Sequence, residues 1–107
     1  MNKIHLSEEA SKDLLEIRTY IEEDLLNPSA ALSTIRKITN DLRLLETFSE
    51  IGPSLSSIID LQSDYRFILS GQYICFYRIY GCNIYVDRIL STRRDYLRVL
   101  LDDFNIK

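Results

Sequence analysis

Two cysteines, three glycines, two prolines, one histidine and no tryptophan make up this 107-residue chain's small stock of residues that staple, break or activate a fold. Cys75 lies inside an apolar alternating run and Cys82 follows Gly81, so neither has metal-ligand spacing, and both read as structural, reduced thiols. With so little glycine and proline there is no room for a linker or a low-complexity tract. A hydrophobic share of 46% against 27% charged residues is ordinary for a globular chain, and one domain over residues 1–107 is the expectation. The lone histidine, His5, has no second base or ligand spaced with it, and no Ser-His-Asp order, HExxH, P-loop or GxGxxG occurs. No apolar run approaches the roughly 18 residues that would span a bilayer. The opening Met1-Asn2-Lys3-Ile4-His5-Leu6-Ser7-Glu8-Glu9 lacks the apolar centre of a signal peptide, so a cytoplasmic protein with no membrane contact is expected.

What the chain does have is charge sorted by region. Met1 to Asp60 carries six Lys/Arg against eleven Asp/Glu, a local charge of −5, whereas Leu61 to Lys107 carries seven against five, a local charge of +2. The net charge of −3 therefore hides a polarised molecule. Six of the basic residues are arginines between positions 66 and 98, within and just after a run of alternating apolar residues.

The period of the apolar residues divides the chain. Ile4 and Leu6 alternate with polar residues in a short first strand. Ser7 is a helix N-cap followed by Glu8 and Glu9 in the first turn, where the helix dipole favours negative charge. Ala10, Leu14, Ile17, Ile21 and Leu25 then mark an amphipathic helix over about residues 8–25. Asn27-Pro28 starts a second helix, with Ala31, Ile35, Ile38, Leu42 and Leu45 as its stripe to about Glu46. So short a connection predicts an antiparallel helix hairpin. Gly52-Pro53 and the serines at 54, 56 and 57 interrupt the pattern with a loop of roughly 15 residues, long for a connection without a role of its own.

Beyond it the period becomes two. Tyr65, Phe67 and Leu69, then Tyr73, Cys75, Tyr77 and Ile79, then Ile84, Val86 and Arg88 predict three strands, with turns at Ser70-Gly71 and Gly81-Cys82-Asn83. Tyr96, Leu97, Leu100 and Leu101 return to helical spacing in a short terminal helix. The fold class is thus α+β: a short N-terminal strand, an antiparallel helix hairpin, a three-stranded antiparallel meander and a short C-terminal helix.

Arginine holds phosphate well, because its planar fork donates two hydrogen bonds at once and stays charged. Arg66, Arg78 and Arg88 fall in three different predicted strands, and Arg93 and Arg94 fall where the last strand ends, so a meander brings several onto one anion-binding face. An equal reading has these side chains solvating an exposed face and pairing with Asp64, Asp87 and Asp95. Tyr96 has the chemistry of an acid/base or a stacking platform, and also that of a helix residue packed on the sheet.

The order of these elements, with Tyr65-Arg66, Gly71-Gln72-Tyr73, Phe76-Tyr77-Arg78 and Arg88-Ile89-Leu90-Ser91-Thr92-Arg93-Arg94-Asp95-Tyr96, resembles the RelE/ParE superfamily of bacterial type II toxins, which includes plasmid-stabilisation proteins. The resemblance implies a growth-inhibiting toxin neutralised by a cognate antitoxin protein, whose complex binds operator DNA, with no cofactor and no metal. It implies one of two targets: DNA gyrase, as for ParE-like members, or mRNA on the ribosome, cut without a metal, as for RelE-like members. A degenerate toxin kept as an antitoxin- or DNA-binding module is a third outcome. Carried over by position, Arg66, Arg93 and Tyr96 are the catalytic candidates, with Arg78, Arg88 and Arg94 as target- or phosphate-binding residues. The sequence departs from the nuclease pattern before Arg66, where lysines or a glutamate are expected and Ser56-Ser57-Ile58-Ile59 stands, with Asp60 the nearest charge. Together with a pI near 5.1, that departure leans the reading toward the gyrase-directed branch.

Overall fold

The computed structural model describes residues 1–57 and 63–103. Ile58, Ile59 and Asp60 lie outside the described residues, as does the side chain of Leu101. The described elements follow the expected order: β1 (Lys3–Leu6), α1 (Glu8–Thr19), α2 (Pro28–Arg43), β2 (Arg66–Ser70), β3 (Tyr73–Tyr80), β4 (Asn83–Ser91) and α3 (Tyr96–Asp103).

Ser7 makes two connections at once. Its Oγ accepts a hydrogen bond from the Ala10 amide at 3.0 Å, capping α1, and donates one to the Asp87 carbonyl at 2.8 Å, tying that cap to β4. The helix expected to reach Leu25 stays α-helical only to Thr19 and widens to a π-helical turn over Tyr20–Asp24. The Leu25 amide bonds Tyr20 O at 3.1 Å, and the Asn27 amide reaches Ile21 O, six residues back, at 3.1 Å. Closing the hairpin so tightly puts Leu26 at φ 52°, a left-handed conformation that costs an L-residue about 1–2 kcal/mol. Asn27 then caps α2 through its side chain, which accepts from the Ala30 amide at 3.1 Å, with Pro28 in the first turn. The last expected turn of α2 tightens into a 3-10 helix over Leu44–Glu46.

The sheet order is β1-β4-β3-β2. The three later strands form the expected meander, and β1 pairs in parallel with β4, Lys3 opposite Asn83 and Leu6 opposite Val86. The first turn lies one residue later than the sequence reading and the second is one residue shorter: Gly71-Gln72 and Gly81-Cys82 alone join the strands, with glycine at φ 59° and φ 60° in the first central position, as type II′ hairpins require.

β3 is central and covered on both sides, which explains its uninterrupted apolar run: Ile74, Cys75, Phe76 and Tyr77 are all buried. Cys75 and Tyr77 join Ile84, Val86 and Ile89 beneath Ala10, Ile38, Leu42 and Leu45 of the helical layer. Ile74 and Phe76 join Leu55, Tyr65, Phe67, Leu90 and Leu100 in a second core, against which Tyr96, Leu97 and Val99 of α3 pack. Burial pushes the Cys75 thiol up to about 12, while Cys82 is exposed in its turn, and both are free.

The segment after α2, expected as a loop, is pinned to the sheet. The Tyr77 hydroxyl donates to Ser49 O at 2.7 Å and accepts from the Gly52 amide at 3.1 Å. A Cβ at position 52 would lie 2.3 Å from Phe67 O, so only glycine fits this approach. The Phe67 amide bonds Pro53 O at 3.1 Å and the Leu55 amide bonds Tyr65 O at 2.7 Å, which covers the first half of the outer edge of β2.

Candidate functional site

The register places one irregularity among the arginines. Phe76 faces Arg88 and Tyr77 faces Val86, leaving Asp87 as an extra residue on β4, a β-bulge. The bulge sends neighbouring side chains to different partners. The Asp87 carboxylate accepts from the Tyr65 hydroxyl and from Arg78 Nε, each at 2.7 Å. The Arg78 guanidinium lies 5.1 Å from the Tyr65 ring centre and 5.6 Å from that of Tyr80. Burial and the bond to Asp87 both push the Tyr65 phenol upward, so it remains protonated. Arg78 loses some solvation, but Asp87 more than offsets this and holds its charge more firmly than usual.

Arg88 turns instead toward α1. Its Nε meets Asp13 Oδ2 at 2.8 Å and its Nη2 meets Oδ1 at 3.0 Å, a two-pronged pair with side-chain exposures of 12% and 7%. The same carboxylate accepts the Ile89 amide at 2.9 Å. β1 ends opposite Val86, so Asp13 satisfies the edge of β4 where no strand remains to do so. Asp13 was missed as a site-shaping residue in the sequence, although an acid between Ala10 and Ile17, on the buried stripe of α1, is a signal of such a role.

Arg66 is also engaged by the chain itself. Its Nη1 donates to Gly52 O at 2.8 Å, with Glu50 O at 3.4 Å, holding the pinned loop. Arg66 is level with Tyr77 and, across the sheet, with Val86, whereas Arg93 lies two residues beyond Ser91. Five residues of strand between Val86 and Ser91 put roughly 17 Å between those levels, so the structure does not gather Arg66 and Arg93 around one phosphate. Tyr96 stands at the start of α3 with its ring tilted 36° to Phe76 at 6.1 Å, half-buried in the second core.

Arg93 and Arg94 differ from the three strand arginines. Both are exposed, and no carboxylate among the described residues pairs with either. They rim a cleft in which two adjoining hollows of about 430 and 480 Å³ share Tyr20, Gln72, Tyr73 and Arg93. Burial raises the Tyr73 phenol and the nearby Arg93 cation opposes that rise. Ile17, Ile21, Ile38 and Ile89 supply apolar lining, and the buried Ser70 hydroxyl lies at one end without a hydrogen bond of good geometry, close enough to Asp41 to help hold that carboxyl below its usual range. Such a cleft suits an elongated segment that is apolar on one side and carries carboxylates on the other. Among the described residues, no three His, Cys, Asp or Glu side chains are grouped to hold a metal ion, and no helix is long and apolar enough to cross a membrane.

The family described as "ParE toxin of type II toxin-antitoxin system, parDE" matches residues 4–96. Among solved structures, the chain is similar to one from "Chromosomal ParDE TA system from P. aeruginosa", with a TM-score of 0.71 and 20% sequence identity over 85% of this chain and 96% of that one. At that identity the likeness shows the fold. No curated protein matches.

Proposed function

Because the chain belongs to the ParE toxin family of type II toxin–antitoxin systems, we propose that it arrests growth by binding a protein target of the DNA-gyrase kind, and that a cognate antitoxin neutralises it by covering the Arg93–Arg94 cleft. The observation that carries this reading is the engagement of the strand arginines. Arg66 holds Gly52 O, Arg78 holds Asp87 and Arg88 holds Asp13, so each already serves an oxygen of the fold with which a phosphate would compete. Tyr96, the remaining acid/base candidate, packs its ring on Phe76. A protein that binds and blocks requires none of these groups to be free.

Antitoxin binding at the cleft follows from charge. Arg93 and Arg94, without a carboxylate partner among the described residues, lie beside an apolar floor, and an acidic amphipathic segment would satisfy both features. With the antitoxin in place, the complex would reach operator DNA through the antitoxin rather than through this acidic chain.

Two measurements, one on purified protein and one on induced cells, test the reading. Purified protein is expected to inhibit supercoiling by gyrase in a concentration-dependent way, while RNA 5′ ends mapped minutes after induction match those of uninduced cells. New cuts within translated codons, lost in Arg66→Ala, would replace this reading with a ribosome-dependent endoribonuclease.

A further inference from the structure

The tip of the helix hairpin is far in character from the arginine cleft. Leu25 and Leu26 are 55% and 82% exposed. Single exposed leucines are ordinary, but Leu26 is also the only non-glycine among the described residues with a positive φ. A left-handed residue just past a helix end is usually glycine or asparagine, which take that backbone with little strain. Apolar residues near such ends commonly pack back on the preceding turn, and at its exposure Leu26 does not. The turn before it is π-helical, a widening often found at functional sites. An irregular turn, a strained backbone and an exposed leucine thus coincide, and although Ile21 of that turn is buried, Leu26 itself takes no part in the core.

The surroundings specify what would receive this tip. Glu23 and Asp24 directly precede the leucines, are exposed and have no cationic partner among the described residues, while Glu22 is occupied by Arg18 at 3.5 Å. A convex apolar knob with an acidic collar complements a concave apolar pocket with a basic rim. It repels nucleic-acid phosphate and acidic peptides alike. We propose that Leu25 and Leu26 are the anchor by which this chain grips its protein target, inserted into an apolar pocket rimmed by lysine or arginine. The proposal rests on the reading of the chain as a target-binding toxin, and assigns the target a surface that adjoins the antitoxin's cleft, since Leu25 also lines the end of one of its hollows while Leu26 lines neither.

Leu26→Gly tests it, because the substitution removes the knob and relieves the backbone together. The variant is expected to melt no lower than wild type and to bind the purified antitoxin within twofold of wild type. Growth arrest and supercoiling inhibition should each require at least tenfold more protein. A second variant, Glu23→Lys with Asp24→Lys, keeps both leucines and should lose potency most at low salt. Undiminished arrest by Leu26→Gly overturns the anchor while leaving the toxin reading intact. Weaker arrest accompanied by a lower melting temperature overturns it too, in favour of a structural role. If wild type arrests growth without touching supercoiling, gyrase falls as the target and the growth comparison still decides the anchor. If wild type causes no arrest, both readings fall.

Discussion

Arg66, Arg78 and Arg88 lie within the strands and each ends on an oxygen of the chain's own, whereas Arg93 and Arg94 follow the last strand by two or three residues and end in solvent. The same side chain thus works as an internal brace in one region and as a presented charge in the next. What separates them is the supply of partners. Inside the sheet, the bulge at Asp87, the buried Asp13 and the pinned loop carbonyls each provide an acceptor. Past Ser91 the chain leaves the ladder, and the nearest following carboxylate, Asp95, forms no ion pair with Arg93 or Arg94.

The contrast fails first, if it fails, at the buried pair. Asp13→Ala strands a nearly buried guanidinium and the Ile89 amide together, and should lower stability by about 3–5 kcal/mol. Urea unfolding would show this as a reduced midpoint at unchanged slope, and a loss below about 1 kcal/mol would remove Arg88 from the bracing set. Arg66→Ala should cost less, about 1–3 kcal/mol, because its acceptors are neutral carbonyls and no buried charge is left behind. At a temperature where that variant is folded it should still arrest growth. Abolished arrest with an intact fold would transfer Arg66 to the presented set. The smallest effect on stability belongs to Arg93→Ala with Arg94→Ala, expected within about 0.5 kcal/mol of wild type. Antitoxin affinity measured by calorimetry should nevertheless fall at least tenfold, with a weaker dependence on salt. An unchanged affinity would mean that the antitoxin rests elsewhere.

The elements themselves were legible because each announces itself locally. Ser7 and Asn27 cap where capping residues stand in the sequence, Ile17 and Ile38 recur with the helical stripe, and Tyr73 to Ile79 alternates through the central strand. The candidate site was less legible because its determinants are pairings between distant positions. Nothing near Arg88 names Asp13, 75 residues earlier, as its partner. The bulge at Asp87 leaves no mark in the alternation of Ile84, Val86 and Arg88, yet it decides which way Arg88 faces. Arg66 was correctly placed in a strand, but its use depends on a glycine approach at position 52 that only the folded loop creates. The left-handed Leu26 was hidden for the opposite reason: its residue type disfavours the conformation it adopts.

The parallel pairing of β1 with β4 has a consequence for synthesis. The first strand is synthesised at the outset, but Asn83, which faces Lys3, follows 80 positions later. At roughly 5–20 residues per second, β1 waits several seconds for its neighbour. Until then the Ser7 hydroxyl has no Asp87 carbonyl to bond, Asp13 has no Arg88, and the helix hairpin has no finished sheet to cover. Translation that stops before the final strand therefore releases a fragment without a completed core, and a harmful protein comes into being only in its last moments of manufacture.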